Sequence, residues 1–220
     1  MAGVIEIRGL TLAAEGRTIV SGFSLVVEKG ARAAVTGPSG SGKTTVLKAV
    51  MGFVEPRGGS ISIGGVRLDG RTVWRARREM AYVPQEIDLG GGTARDALVR
   101  PFGYRAASSV SWDEGRAREM LEEFGLEGDL LGQELKCLSG GEKRRLALVT
   151  ALLLERPVLV LDEITSGLDL ERKKAIVRYL ERRPDITVLA ASHDEAFLEC
   201  ATEAKALAPR TGAQRGAEEA

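Results

Sequence analysis

The chain has 220 residues, enough for one domain, or one core with a small lobe, that hides roughly 70–75% of the surface its unfolded form exposes. Stability at that size needs neither disulfides nor a structural metal, and Cys137 and Cys200 form no spaced framework, which suits a reducing cytosol. Basic and acidic side chains balance at 31 each, so no net field draws the protein to nucleic acid or to anionic lipid.

Residues 4–7 (VIEI) and 23–28 (FSLVVE) alternate apolar and polar, as half-buried strands do. After the turn EKG, residues 31–37 (ARAAVTG) predict a buried strand running into a glycine loop, and 43–53 have helical spacing. PRGG breaks that helix, and SISIGG (60–65) and MAYVPQ (80–85) are further strands. WRARRE (74–79) reads as a solvated charged face in preference to a basic contact surface. Residues 113–126 predict an amphipathic helix with acids at its start, and 142–155 a longer helix apolar on most faces. RPVLVLDE (156–163) is an unbroken apolar run, as in a strand covered on both sides. A helix over 171–183, a strand over 185–193 and a short helix over 194–200 follow, and the tail 209–220 has nothing to bury and is expected to be disordered. The pattern predicts an α/β fold with a mostly parallel sheet, a small N-terminal antiparallel β lobe and no internal repeat. The opening MAGVIEIRGL lacks a secretory pattern, and no apolar run approaches the roughly 20 residues of a bilayer span.

Gly37-Pro38-Ser39-Gly40-Ser41-Gly42-Lys43-Thr44 fits the P-loop pattern G-x-x-x-x-G-K-[ST], with Thr45 next in the helix. Its glycines let backbone N–H groups converge on phosphate oxygens, and the helix start adds partial positive charge. Lys43 would reach the terminal phosphates and Thr44 would ligate Mg2+. Asp162 and Glu163 end an apolar strand, at the sheet edge where such folds bind ligands. There Asp162 can hold the metal and Glu163 can polarise an attacking water. His193, the only histidine, also follows an apolar strand and could bond a γ-phosphate; alone it would be a structural or exposed residue. Gln85 follows MAYVP and could touch Mg2+ or water, although by itself it is only a loop glutamine. Ser139-Gly140-Gly141 precedes a strong helix and forms a second anion seat. An ordinary serine cap accounts for Ser139, but two glycines cost helix stability unless something must approach the backbone closely.

The order and spacing of GPSGSGKTT, Gln85, LSGGE, VLVLDE, SGLD (166–169) and His193 resemble the ATP-binding-cassette ATPases over about residues 4–205. The resemblance implies a single cassette domain over 1–208, with a helical lobe inserted at about 86–155, that hydrolyses ATP with Mg2+. It also implies a head-to-tail homodimer in which each ATP lies between one copy's P-loop and the other copy's Ser139-Gly140-Gly141. Glu163 would then be the general base and His193 the γ-phosphate switch. Thr44, Gln85 and Asp162 would attend the metal, and Asp169 would lie at the dimer seam. The partner implied is a separately encoded integral membrane permease, with the chain on the inner face of the cell membrane and no nucleic acid bound.

In one place the sequence departs from the family, which usually stacks an aromatic residue on adenine. Ala14 falls there, with no aromatic between Met1 and Phe23, so weak ATP affinity or loose base selectivity is expected. Ile164 in DEITSGLD, with LSGGEKRR and a short helical lobe, resembles the ATPase of the Fet-type bacterial iron exporters. The competing reading is a non-transport member acting in DNA repair or on ribosomes. The former carry a long coiled coil, which this chain lacks heptads to form, and the latter usually carry two cassettes, where this has one.

Overall fold

The computed structural model describes residues 3–107, 110–126 and 130–207; the expectation of a disordered tail over 209–220 lies outside them. Two sheets organise the chain. The first is antiparallel, in the order β2 (Arg17–Val27), β1 (Ile5–Ala14), β4 (Gly58–Ile63), β5 (Val66–Arg67). The second is parallel, in the order β6 (Met80–Val83), β7 (Val158–Asp162), β8 (Thr187–Ala191), β3 (Arg32–Thr36), β9 (Glu203–Ala206).

The parallel strands are apolar throughout because both faces are covered. Along β7, Val158 and Val160 enter one core while Leu159 and Leu161 enter the other. On the first face sit the β lobe and α1 (Lys43–Val50). On the second sit α5 (Gly140–Leu153) and α6 (Leu170–Glu181), together with α3 (Ala94–Val99) and α4 (Glu114–Glu123), which lie between β6 and β7 in the chain. Ile164 is buried in this second core, which gives it a packing role.

Three expectations shift. The N-terminal strands extend into a continuous hairpin, turning at Glu15 and Gly16 with φ of 50° and 78°. The helix expected over 43–53 stops at Val50, where Gly52 takes φ 69°. The basic stretch WRARRE forms α2 (Val73–Arg78), and its Arg77 is engaged: it donates to the carbonyls of Met51 and Gly52, at 2.9 and 3.1 Å. Among the described residues, no helix is long and apolar enough to cross a membrane.

Candidate nucleotide site

Four parallel strands, β6, β7, β8 and β3, deliver their following loops to one edge of the sheet. Those loops carry Gln85, Glu163, His193 and the glycine loop respectively, so residues far apart in sequence meet there.

The glycine loop leaves β3 and enters α1. Gly37, Gly40 and Gly42 have φ of 141°, 76° and 103°, which an L side chain resists. At Gly42 the space is closed as well: a Cβ would stand 2.7 Å from an Ile19 methyl and 2.9 Å from a Val20 methyl of the hairpin. The Ser41 hydroxyl is buried without a hydrogen-bond partner, as suits a group directed at a ligand. Lys43 is only 6% exposed, and its ammonium donates back to the carbonyls of Gly37 and Pro38 at 3.0 and 3.2 Å. Pro38 and Ser39 are exposed at the loop's crest, and Thr45 is half-buried in the first turn of α1.

Thr44 donates its hydroxyl to Asp162 Oδ1 at 3.0 Å, and the Tyr82 hydroxyl donates to Oδ2 at 3.3 Å. Asp162 is fully buried; burial pushes its carboxyl above the usual range, partly opposed by those two hydrogen bonds. Burial, with Asp162 beside it, also raises the Tyr82 phenol and keeps it a donor. One hydroxyl and one carboxylate side by side are hard oxygens of the kind Mg2+ takes when phosphates complete its shell. Among the described residues no cluster of three or more His, Cys, Asp or Glu offers an all-protein alternative.

Glu163 follows Asp162 with φ 51°, an uncommon conformation for a non-glycine residue. Its carboxylate accepts from Gln85 Nε2 at 3.0 Å and lies 3.7 Å from Lys43 Nζ and 3.8 Å from His193 Nδ1. His193 is 67% exposed. The structure thus brings Lys43, Glu163, Gln85 and His193 together, with Gln85 turned to Glu163.

Ser139-Gly140-Gly141 stands elsewhere, at the start of α5. Ser139 and Glu142 form a reciprocal capping box, and the Ser139 hydrogen bonds hold the Glu142 carboxyl below its usual range. The box accounts for Ser139. Around Gly140 there is open space, with no atom outside its chain neighbours and its own helix backbone within 4 Å of where a Cβ would be, while a Cβ on Gly141 would touch Leu168 at 3.4 Å. Asp169 caps α6, accepting from the Arg172 backbone, which holds its carboxyl low.

Sequence reasoning missed Tyr82 and Arg144. Arg144 donates to the Ser166 carbonyl at 2.6 Å and so ties α5 to the SGLD loop. Neither contact has a local signal, since the residues joined are 80 and 22 positions apart.

Residues 20–166 match the family described as "ABC transporter". The "Probable iron export ATP-binding protein FetA" of Escherichia coli (strain K12) is 31% identical over 95% of this chain and 93% of its own length. An "ATP-dependent lipid A-core flippase" of Aromatoleum aromaticum is 35% identical over 83% of this chain. The chain spans 31% of the flippase, and similarly small shares, 29% and 23%, of two further relatives. A dimeric ATP-binding cassette in a post-hydrolysis state, bound to ADP and Pi, superposes with a TM-score of 0.80 at 25% identity, covering 92% of this chain and 94% of that one.

Proposed function

The chain belongs to the ABC transporter family, and from that premise we propose that it hydrolyses ATP to power a separately encoded membrane permease. The observation that carries this reading is Glu163, held at the mouth of the P-loop within 3.7 Å of Lys43 and 3.0 Å of Gln85. A carboxylate so placed can orient water against a terminal phosphate, while Lys43 leaves its two loop carbonyls to neutralise phosphate charge. Exposed His193 is free to meet the γ-phosphate. Thr44 and Asp162 would hold Mg2+, which supplies further charge neutralisation of the phosphates when bound. Gln85 donates to Glu163 and so fixes that carboxylate beside the P-loop, close enough to the metal's place to join its surroundings.

Ser139, Gly140 and Gly141 serve the ATP of a second copy. Their support is the open space at Gly140, where a partner's phosphates can approach the helix start. The cassette comprises residues 1–208, with a helical lobe at about 86–155 facing the permease at the cytoplasmic side of the membrane. The likeness to the FetA protein across nearly the whole of both chains supports metal export as the transport task. Phosphate release tests the chemistry: Glu163→Gln should keep nucleotide binding and lower turnover by about 10²-fold or more. Hydrolysis by that variant at the native rate would remove Glu163 from the role of base. Co-purification of a membrane partner tests the transport assignment.

A further inference from the structure

Asp162 has each oxygen occupied by one hydroxyl, Thr44 on one side and Tyr82 on the other. Thr44 belongs to the P-loop helix. Tyr82 comes from β6, the strand beside β7, and its half-buried ring packs at the margin of the core shared by α1 and the β lobe. There it meets the Phe53 ring, centroid to centroid 6.3 Å at a tilt of 52°. The Arg77 guanidinium lies over Phe53 at 4.4 Å and over Trp74 at 4.9 Å. Phe53 and Trp74 are 56% and 67% exposed, so two large aromatic side chains are held in solvent by a stacked cation.

Arg77 is fixed independently of the rings. Its hydrogen bonds to Met51 and Gly52 engage carbonyls at the end of α1, the helix whose first residues are Lys43 and Thr44. The surface cluster therefore reaches the nucleotide site by two routes. One runs through Phe53 and Tyr82 to Asp162, and the other along α1.

We propose that Tyr82 is a positioning residue for Asp162 and that it links the magnesium–nucleotide state of the site to the surface formed by Phe53, Trp74 and Arg77. This rests on the reading of Asp162 as the metal-holding carboxylate.

The test uses intrinsic fluorescence. Trp112→Phe leaves Trp74 as the sole tryptophan, and it removes an indole N–H that has no partner. Mg2+ is titrated into this protein holding a non-hydrolysable ATP analogue. Trp74 emission should shift with the magnesium step. Tyr82→Phe in the same background should diminish the shift, leaving only what passes along α1, and raise the half-saturating Mg2+ concentration about 3–10-fold, the effect of losing one long hydrogen bond to a charged group. Nucleotide binding in EDTA should stay within about 2-fold of native, because no phosphate contact is lost. Phe53→Leu keeps the Tyr82 hydroxyl, so it should spare magnesium affinity while weakening the Trp74 response. Silent Trp74 emission in the parent, or an undiminished response in Tyr82→Phe, overturns the proposal. Asp162→Asn with native magnesium dependence would instead overturn the reading of Asp162 beneath it.

Discussion

On the reading that Ala14 stands where the family stacks an aromatic residue on adenine, replacing it by tyrosine should supply a base platform. Ala14 ends β1, is exposed, and pairs with Arg17 across the hairpin turn. That hairpin is anchored to the nucleotide site, since Ile19 and Val20 close the space around Gly42. Tyrosine is favoured over alanine in a strand, so the fold should tolerate the change. A base stacked on an aromatic ring gains about 1–3 kcal/mol. Arg17, on the opposing strand, can already offer a guanidinium plane, which at an exposed site is worth about 0.5–1 kcal/mol. The net gain is about 1–2 kcal/mol, or roughly 5–30-fold in affinity. Calorimetric titration of ATP and GTP in the presence of EDTA isolates binding from turnover. Both nucleotides should tighten, because every base has a face to stack. Unchanged affinity in Ala14→Tyr would refute the reasoning, as would a native protein that already binds ATP in the low micromolar range with strong preference over GTP.

Gly42→Ala should lower stability by about 2–4 kcal/mol in urea unfolding, from left-handed strain plus overpacking against Ile19 and Val20; a loss below the error of the measurement would contradict the packing described. Ser139→Ala should cost about 1 kcal/mol through loss of the cap. Its pH dependence follows from Glu142, whose hydrogen bonds from Ser139 hold the folded pKa below the ordinary glutamate value. The stabilisation is therefore full above that value and lost as pH falls through the lower, folded one. The native and Ser139→Ala unfolding midpoints should differ more at pH 7 than in acid, where only the cap to the Glu142 N–H remains; a gap of the same size at pH 3 would give the Glu142 carboxylate no part in it.

Much of the fold was legible because the parallel strands are buried on both faces. RPVLVLDE could only be such a strand, and its acids could only end at the sheet's ligand-binding edge. GPSGSGKT was legible for a related reason, since its glycines take positive φ values that side chains resist, and Gly37 and Gly42 are crowded as well. The hairpin over residues 5–27 was only half visible, because Glu15-Gly16 is not among the turn pairs that announce a two-residue connection. α3 did carry a readable signal, since Thr93 and Asp96 have capping-box spacing and form that box. β9 had none: EAKA is exposed along its length and joins the sheet by backbone pairing to β3. Within the site, the residue types were legible and their partners were not. Gln85 against Glu163, Tyr82 against Asp162 and Lys43 folded onto its own loop all depend on tertiary placement.

The central claim is that one copy supplies two incomplete halves, a P-loop edge and a signature helix start, which only pairing completes. Light scattering on Glu163→Gln with MgATP tests it most directly, alone and with Gly140→Arg added to fill the open space before α5. The account predicts a particle of twice the 23.5 kDa chain mass for the first protein and single chains for the second, with both binding ATP. Equal dimerisation of the two variants would contradict it.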